Sequence, residues 1–241
     1  MAPIERVDDE GVVILRLNRP QRRNAMNSEL LAAVLCELDD LAIDQSLRVL
    51  VFSTTSTTAL SAGADVSEVL DDAAGVRRMD AFTRLYSAVD AFPLPTIAVC
   101  VGNVVGAGAE LAAGCDLRVA GDNLKLAWAG ARHGVPVGPA RLAPLLGVSR
   151  AKDLIYTGRA VGAEEAERIG FTHRTAPAAD AETVALELAR GIAAGPPDGL
   201  RRLKSMFTEL GASRARVEYE NQLLSQFQRT GAGLPSGPGT G

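Results

Sequence analysis

The chain has 241 residues, 47% of them hydrophobic and 22% charged, with a formal net charge of −4 and a pI near 5.3. That length and apolar content suit one α/β domain with a full core. The acidic balance excludes a protein that holds nucleic acid by electrostatics.

Cys36, Cys100 and Cys115 lack metal-ligand spacing and read as reduced thiols of a cytosolic protein, so no metal site is expected. The first residues, Met-Ala-Pro-Ile-Glu-Arg, show no cationic segment followed by an apolar run. No uninterrupted apolar stretch reaches the ~20 residues that span a bilayer. The expectation is a soluble, cytoplasmic protein without membrane contact.

Val12–Leu17 reads as a strand, ended by Asn18-Arg-Pro20 because proline cannot continue a ladder. Asn27 or Ser28 can cap a helix over Glu29–Ile43, where leucines and alanines recur at helical spacing. Leu47–Thr54 is the next strand. A polar, small-residue loop from Thr54 to Gly63 leads into Ala64–Leu70, and a helix from about Val76 to Phe92 is closed by Pro93 and Pro95.

The buried strand Thr96–Val101 then runs toward a turn of tiny residues, Gly106-Ala-Gly-Ala109, and a helix through Ala113 that carries Glu110. Short strands are expected at Leu117–Ala120 and Lys125–Trp128. Helices follow at Pro139–Leu146, Ser149–Tyr156, Ala163–Ile169, Asp180–Ala194, Pro197–Leu210 and about Ser213–Arg229. Residues 230–241, mostly glycine, proline and small polar groups, read as a disordered tail.

Three segments carry the chemistry. In Gly106–Glu110 the lack of side-chain bulk lets a ligand approach the backbone, and a helix starting there offers free N–H groups and a positive dipole end. A carboxylate beside such a site suits acid–base work on an activated carbonyl. A glycine-rich turn after a strand also fits a dinucleotide or phosphate loop, but neither Gly-x-Gly-x-x-Gly nor Gly-Lys-Ser/Thr is present. In Leu60-Ser-Ala-Gly-Ala-Asp-Val66, Gly63 permits a turn that aims the Ala64 N–H into a cavity; an ordinary loop-to-helix entry with Asp65 near its start is the plainer reading. In Asn18–Asn27, Arg19, Arg22 and Arg23 suit either phosphate binding or a solvated turn.

Together, in this order, the segments resemble the crotonase superfamily, the enoyl-CoA hydratase/isomerase family. The resemblance is carried by Asn18-Arg-Pro…Asn24-Ala-Met-Asn27, Ser61-Ala-Gly-Ala-Asp65, Pro95-Thr-Ile-Ala…Gly106-Ala-Gly-Ala-Glu-Leu…Cys115-Asp-Leu-Arg118 and Arg141-Leu-Ala-Pro-Leu-Leu-Gly147. It continues through Ala163-Glu-Glu-Ala-Glu-Arg-Ile-Gly170 and covers roughly residues 4 to 210.

The resemblance implies an α/β fold: a spiral of ββα units over residues 1–195, then a C-terminal helical region, 196–229, used in homotrimer or hexamer assembly. It implies an acyl-CoA thioester substrate, with coenzyme A part of that substrate and no separate cofactor. The amides of Ala64 and Ala107 correspond to the pair that holds the thioester oxygen while an enolate-like intermediate forms. Glu110 corresponds to the first of two family glutamates. Arg22, Arg23, Ala62, Asp65 and Lys204 are the positions implied for coenzyme A contact.

The second glutamate is missing. The matching segment reads Leu126-Ala-Trp-Ala-Gly-Ala-Arg-His-Gly134, with Gly130 at the acid position, and no acidic residue lies between Asp122 and Asp153. Glu110 is therefore expected as sole acid/base, unless His133 or a water chain substitutes. The chain also leaves the family pattern near Gln226. The leading expectation is an acyl-CoA enzyme of the hydratase/isomerase type; the alternatives are a non-catalytic or weakly catalytic acyl-CoA-binding protein, and a structural subunit that supports a catalytic partner.

Overall fold

The computed structural model describes residues 2–235 and Gly237. The chain opens with an antiparallel hairpin, β1 (Ile4–Asp9) and β2 (Val12–Leu17), turned at Glu10-Gly11 where both residues have positive φ. Helix α1 (Ser28–Ile43) follows; its cap is Asn27, whose side chain accepts the Leu30 N–H at 3.0 Å.

From there the chain alternates between two sheets. Strands β3 (Val49–Thr54), β5 (Thr96–Cys100), β7 (Leu117–Gly121) and β9 (Arg174–Ala176) extend the hairpin in parallel, giving the order β1-β2-β3-β5-β7-β9. Strands β4 (Ala59–Ser61), β6 (Asn103–Val105) and β8 (Lys125–Ala127) form a second parallel sheet. Each pair of strands is followed by a helix: α2 (Asp72–Asp90), α3 (Ala107–Gly114) and α4 (Pro139–Leu146). This is the ββα spiral that the resemblance implies.

Helices α5 (Val148–Thr157), α6 (Ala163–Arg168), α7 (Ala181–Ala193), α8 (Pro197–Leu210) and α9 (Ser213–Thr230) complete the chain. Among the described residues no helix is long and apolar enough to cross a membrane.

The large sheet is covered on both faces, which explains why β3 and β5 read as unbroken apolar runs. Val49 and Val51 pack with Ile97, Val99 and Val119 under α7, whose Ala181, Ala185 and Ala189 let the helix sit close. Leu50, Phe52, Ala98 and Cys100 point the other way, into the main core with α1, α2 and α3.

Strands β1, β4, β6 and β9 were not separable in the sequence. Three of them are only three residues long, too short for an alternating pattern, and β4 lies in the stretch read as a loop. All three cysteines are free thiols; Cys100 and Cys115 are buried. Of the expected tail, 230–241, Thr230 is the last residue of α9; residues 231–235 and Gly237 are described, with the Pro235 carbonyl accepting from Arg78, on α2, at 3.1 Å. Ser236 and residues 238–241 lie outside the described residues.

Candidate active site

Two segments distant in sequence meet at the C-terminal ends of the paired strands β4 and β6. Gly63, at φ +101°, turns the chain after β4. Met26 donates to the Gly63 carbonyl at 2.7 Å and accepts from the Asp65 N–H at 2.9 Å, so this ladder passes over the Ala64 N–H. Gly106, at φ +53° and ψ −118°, holds a conformation open to glycine and ends β6; α3 starts at Ala107. Among the described residues neither the Ala64 N–H nor the Ala107 N–H has an acceptor.

The two turns are in contact. A Cβ built on Gly63 would lie 3.7 Å from the Ala107 nitrogen. Gly108 packs so tightly on β4 that a Cβ there would fall 2.6 Å from the Ser61 carbonyl oxygen. Glycine at 63, 106 and 108 is therefore what lets the two unpaired amides share one space.

That space is a cavity of about 200 Å³ lined by Ala64 and Ala107. Met79, Phe82, Val137, Leu224 and Leu234 give it apolar walls, and Ala62, Gly130, Tyr86 and His133 also face it. A larger open groove of about 920 Å³ between α2 and α9 contains neither amide.

Glu110 lies one helical turn beyond Ala107, fully buried with 1% of its surface exposed. Its Oε2 accepts from Arg141 Nε at 2.7 Å, and its Oε1 has no hydrogen-bond partner. Burial pushes the Glu110 carboxyl up to about 7; Arg141 opposes that shift and Glu220 adds to it. Glu110 does not itself line the cavity. The segment around Gly138 lies against it: a Cβ on Gly138 would stand 3.2 Å from Glu110 Oε1.

The other expected site residues divide. Ala62 lines the cavity, and its N–H donates to the Arg23 carbonyl at 2.9 Å, which places the Arg19–Asn24 turn beside the site. The Arg22 and Arg23 side chains are exposed and make no ion pair among the described residues. Asp65 braces the loop: it accepts from Ser67 and from Arg19 Nη1 at 3.0 Å. Burial acts to raise the Asp65 carboxyl, but the hydrogen bonds from Ser67 and Arg19 outweigh it and hold the group below its usual range. The Lys204 Nζ lies 2.6 and 2.8 Å from the two Asp116 carboxylate oxygens, and Lys204 does not line the cavity. Among the described residues no group of three or more His, Cys, Asp or Glu is placed to hold a metal ion.

A family profile described as enoyl-CoA hydratase/isomerase matches residues 8–233. The chain belongs to the enoyl-CoA hydratase/isomerase family. The Bacillus subtilis protein YngF, named as an enoyl-CoA hydratase/isomerase, is 33% identical over 240 residues, covering 93% of this chain and 91% of its own. The 2,3-dehydroadipyl-CoA hydratase of Escherichia coli is 32% identical over 226 residues, covering 92% and 88%. The crystal structure of an enoyl-CoA hydratase from Bacillus anthracis superposes with a TM-score of 0.80 at 26% identity, over 98% of this chain and 100% of that one.

Within this enoyl-CoA hydratase/isomerase fold, two site residues escaped the sequence reading: Arg141 and Glu220. Arg141 opens the segment Arg141–Gly147 that carries part of the family resemblance, which implies no role for it. The available signal was a charged residue on an otherwise buried stripe: Glu220 falls between Val217 and Leu224 on the apolar face of α9.

Proposed function

We propose that this chain binds an acyl-CoA thioester and moves a proton at its α-carbon, as an enoyl-CoA hydratase-like lyase or isomerase. The observation that carries the reading is the pair of unpaired amides, Ala64 and Ala107, in one cavity with Glu110 a turn beyond. The thioester oxygen accepts from both N–H groups, and the start of α3 adds its dipole to the developing negative charge. Among the described residues no carboxyl lines the cavity, and Glu110, one helical turn from the Ala107 amide, is the one this reading assigns to exchange the α-proton. The apolar walls take the acyl chain, and Arg22 and Arg23, on the adjoining surface, meet the phosphates of coenzyme A.

A homotrimer or a hexamer fits α8, which buries only Lys204 and leaves Leu203, Met206, Phe207 and Leu210 exposed along one side. The cytoplasm is the proposed location.

A second reading, an acyl-CoA-binding protein that catalyses weakly, draws on Gly130 in place of an acid and on the Glu110–Arg141 ion pair, which sits behind the cavity wall. The deciding experiment is a panel of crotonyl-CoA and longer enoyl-CoAs with wild type and Glu110→Gln, following both hydration and double-bond migration. The enzyme reading expects turnover that falls by about 10²–10⁴ in Glu110→Gln. Tight acyl-CoA binding without turnover at any chain length establishes the second reading. Neither binding nor turnover overturns both.

A further inference from the structure

Glu110 and Glu220 share one guanidinium. Arg141, on α4, donates from Nε to Glu110 Oε2 at 2.7 Å and from Nη2 to Glu220 Oε1. Glu220, on α9, uses its second oxygen to accept the Ala140 N–H at 2.8 Å. The guanidinium carbon lies 4.5 Å from the centroid of the Tyr86 ring, on α2. All three ionic side chains are at least nine-tenths buried.

Two carboxylates on one guanidinium carry a surplus negative charge when fully ionised, and a dry interior disfavours that charge. The set therefore keeps a proton, and the hydrogen bonds say where. Both oxygens of Glu220 accept a hydrogen bond, from the Ala140 N–H and from Arg141 Nη2. Glu110 has a donor on Oε2 alone, and its buried Oε1 has none.

The groups facing Glu110 are Arg141 from α4, Glu220 from α9, Tyr86 from α2 and the indole N–H of Trp128 beyond β8. Burial pushes the Tyr86 hydroxyl well up, so it stays neutral and adds no charge. The buried Trp128 N–H acts to lower the Glu110 carboxyl, as the least of the groups around it, and makes no hydrogen bond to Oε1.

We propose that Glu220 is a positioning residue which, through Arg141, fixes the Glu110 carboxyl and keeps a proton on its Oε1. Glu110 then holds a transferable proton behind the cavity wall, one helical turn from the Ala107 amide. In the step, the Oε1–H bond breaks as a C–H bond forms at the α-carbon of the enolate held by Ala64 and Ala107. That enolate arises as the oxygen of a water adds to the β-carbon of the enoyl thioester; the carboxylate left on Glu110 is neutralised by Arg141, and the proton given up by the added water returns it to the acid form. This assignment of the donor role rests on the acyl-CoA reading above; the protonation state does not.

The test has a readout that needs no turnover. In protein labelled with ¹³C at the glutamate δ-carbons, the resonance lost in Glu110→Gln is titrated in wild type and in Glu220→Gln. The expected result is a midpoint near neutrality in wild type and a fall of about one pH unit or more in Glu220→Gln, since removing the rival charge leaves Arg141 to Glu110 alone. Glu220→Asp, which keeps the charge, restores most of the shift. A wild-type midpoint in the ordinary carboxylate range, or an unchanged midpoint in folded Glu220→Gln, overturns the proposal.

If Glu220→Gln does not fold, the wild-type midpoint and Glu220→Asp still decide it. The pH dependence of kcat/KM is expected to move with the NMR midpoint. Absence of all acyl-CoA turnover with the titration as expected removes the donor role while leaving the positioning of Glu110 by Glu220 in place.

Discussion

Gly63 and Ala107 face each other so closely that a Cβ added to the glycine would sit 3.7 Å from the alanine nitrogen and 3.0 Å from the Val105 carbonyl oxygen. The glycine also holds φ +101°, where an L side chain is strained. Gly63→Ala is therefore expected to cost about 1–3 kcal/mol of stability. By shifting the neighbouring Ala64 amide it should also lower kcat/KM by about 10²-fold. Thermal unfolding and steady-state turnover measure the two effects, and a variant with full activity would show that this turn does not set the amide pair.

Replacing Ala107 by most residues keeps its N–H, so only proline asks whether that donor matters. Position 107 is the first residue of α3, where proline is tolerated because the N–H has no partner inside the helix. Gly106 before it adopts the mirror image of the extended region, which also suits a following proline. Ala107→Pro is expected to keep its melting temperature near wild type while kcat falls about 10²–10³-fold, or ~2.7–4 kcal/mol of transition-state stabilisation. Ala107→Gly, which retains the N–H, should stay within a few-fold of wild type in the same assay.

The buried Glu110 makes stability depend on pH in a direction opposite to a salt-bridged surface acid. Its folded pKa is raised from 4.5 to about 7, so the native state holds a proton that the unfolded chain releases. The resulting stabilisation is fully present below about pH 4.5 and is lost as pH rises through about 7, a change of up to roughly 3 kcal/mol. His173 works against it, because burial lowers its pKa and stability then rises with pH in part of the same window. The clean comparison is the difference in unfolding free energy between wild type and Glu110→Gln across pH 4–8. Wild type is expected to lose ground to the glutamine variant as pH rises; a flat difference would contradict the raised pKa.

How much of this was legible in the sequence follows from the range of each interaction. The Gly106–Glu110 turn declares itself locally, because a run without side chains after a buried strand has few uses, and its order among Ser61–Asp65 and Asn18–Asn27 supplies the family. The boundaries of α4 and α8 match the expected ones, since each starts on a proline and ends before a glycine. What escaped were pairings across long stretches of chain: Arg141 with Glu220 between α4 and α9, and Lys204 with Asp116. Neither partner is signalled by its neighbours in sequence. The hydrogen bonds that Asp65 accepts from Arg19 and Ser67 are likewise not announced by its short motif.

The exposed side of α8 predicts assembly. Leu203, Met206, Phe207 and Leu210 recur at helical spacing, and Lys204, off that stripe, ties the helix to the body of the fold through its ion pair with Asp116. Light scattering should give a trimer or hexamer for wild type. Phe207→Asp combined with Leu210→Asp should give mostly monomer, with little change in secondary structure by circular dichroism. A wild-type monomer at micromolar concentration would remove the case for this surface.

The missing acid can be put back, and the structure says what must move. Gly130 opens the short turn Gly130–His133 that faces the cavity, but a Cβ there would lie 2.9 Å from Val137 Cγ1 and 3.4 Å from the Val135 carbonyl oxygen. Gly130→Glu alone is therefore expected to cost about 1–3 kcal/mol through overpacking. Combined with Val137→Ala, which clears the methyl, the glutamate gains room to reach the cavity. Paired with Glu110, it would supply the second proton-transfer group that water addition needs, and such a group is worth about 10²–10⁴-fold when well placed. The double variant is expected to hydrate crotonyl-CoA at least about tenfold faster than a Gly130→Ala, Val137→Ala control. His133→Ala, by contrast, should change turnover by less than about threefold if Glu110 works alone. A large loss in His133→Ala with no gain from the restored glutamate would hand the second proton transfer to the histidine.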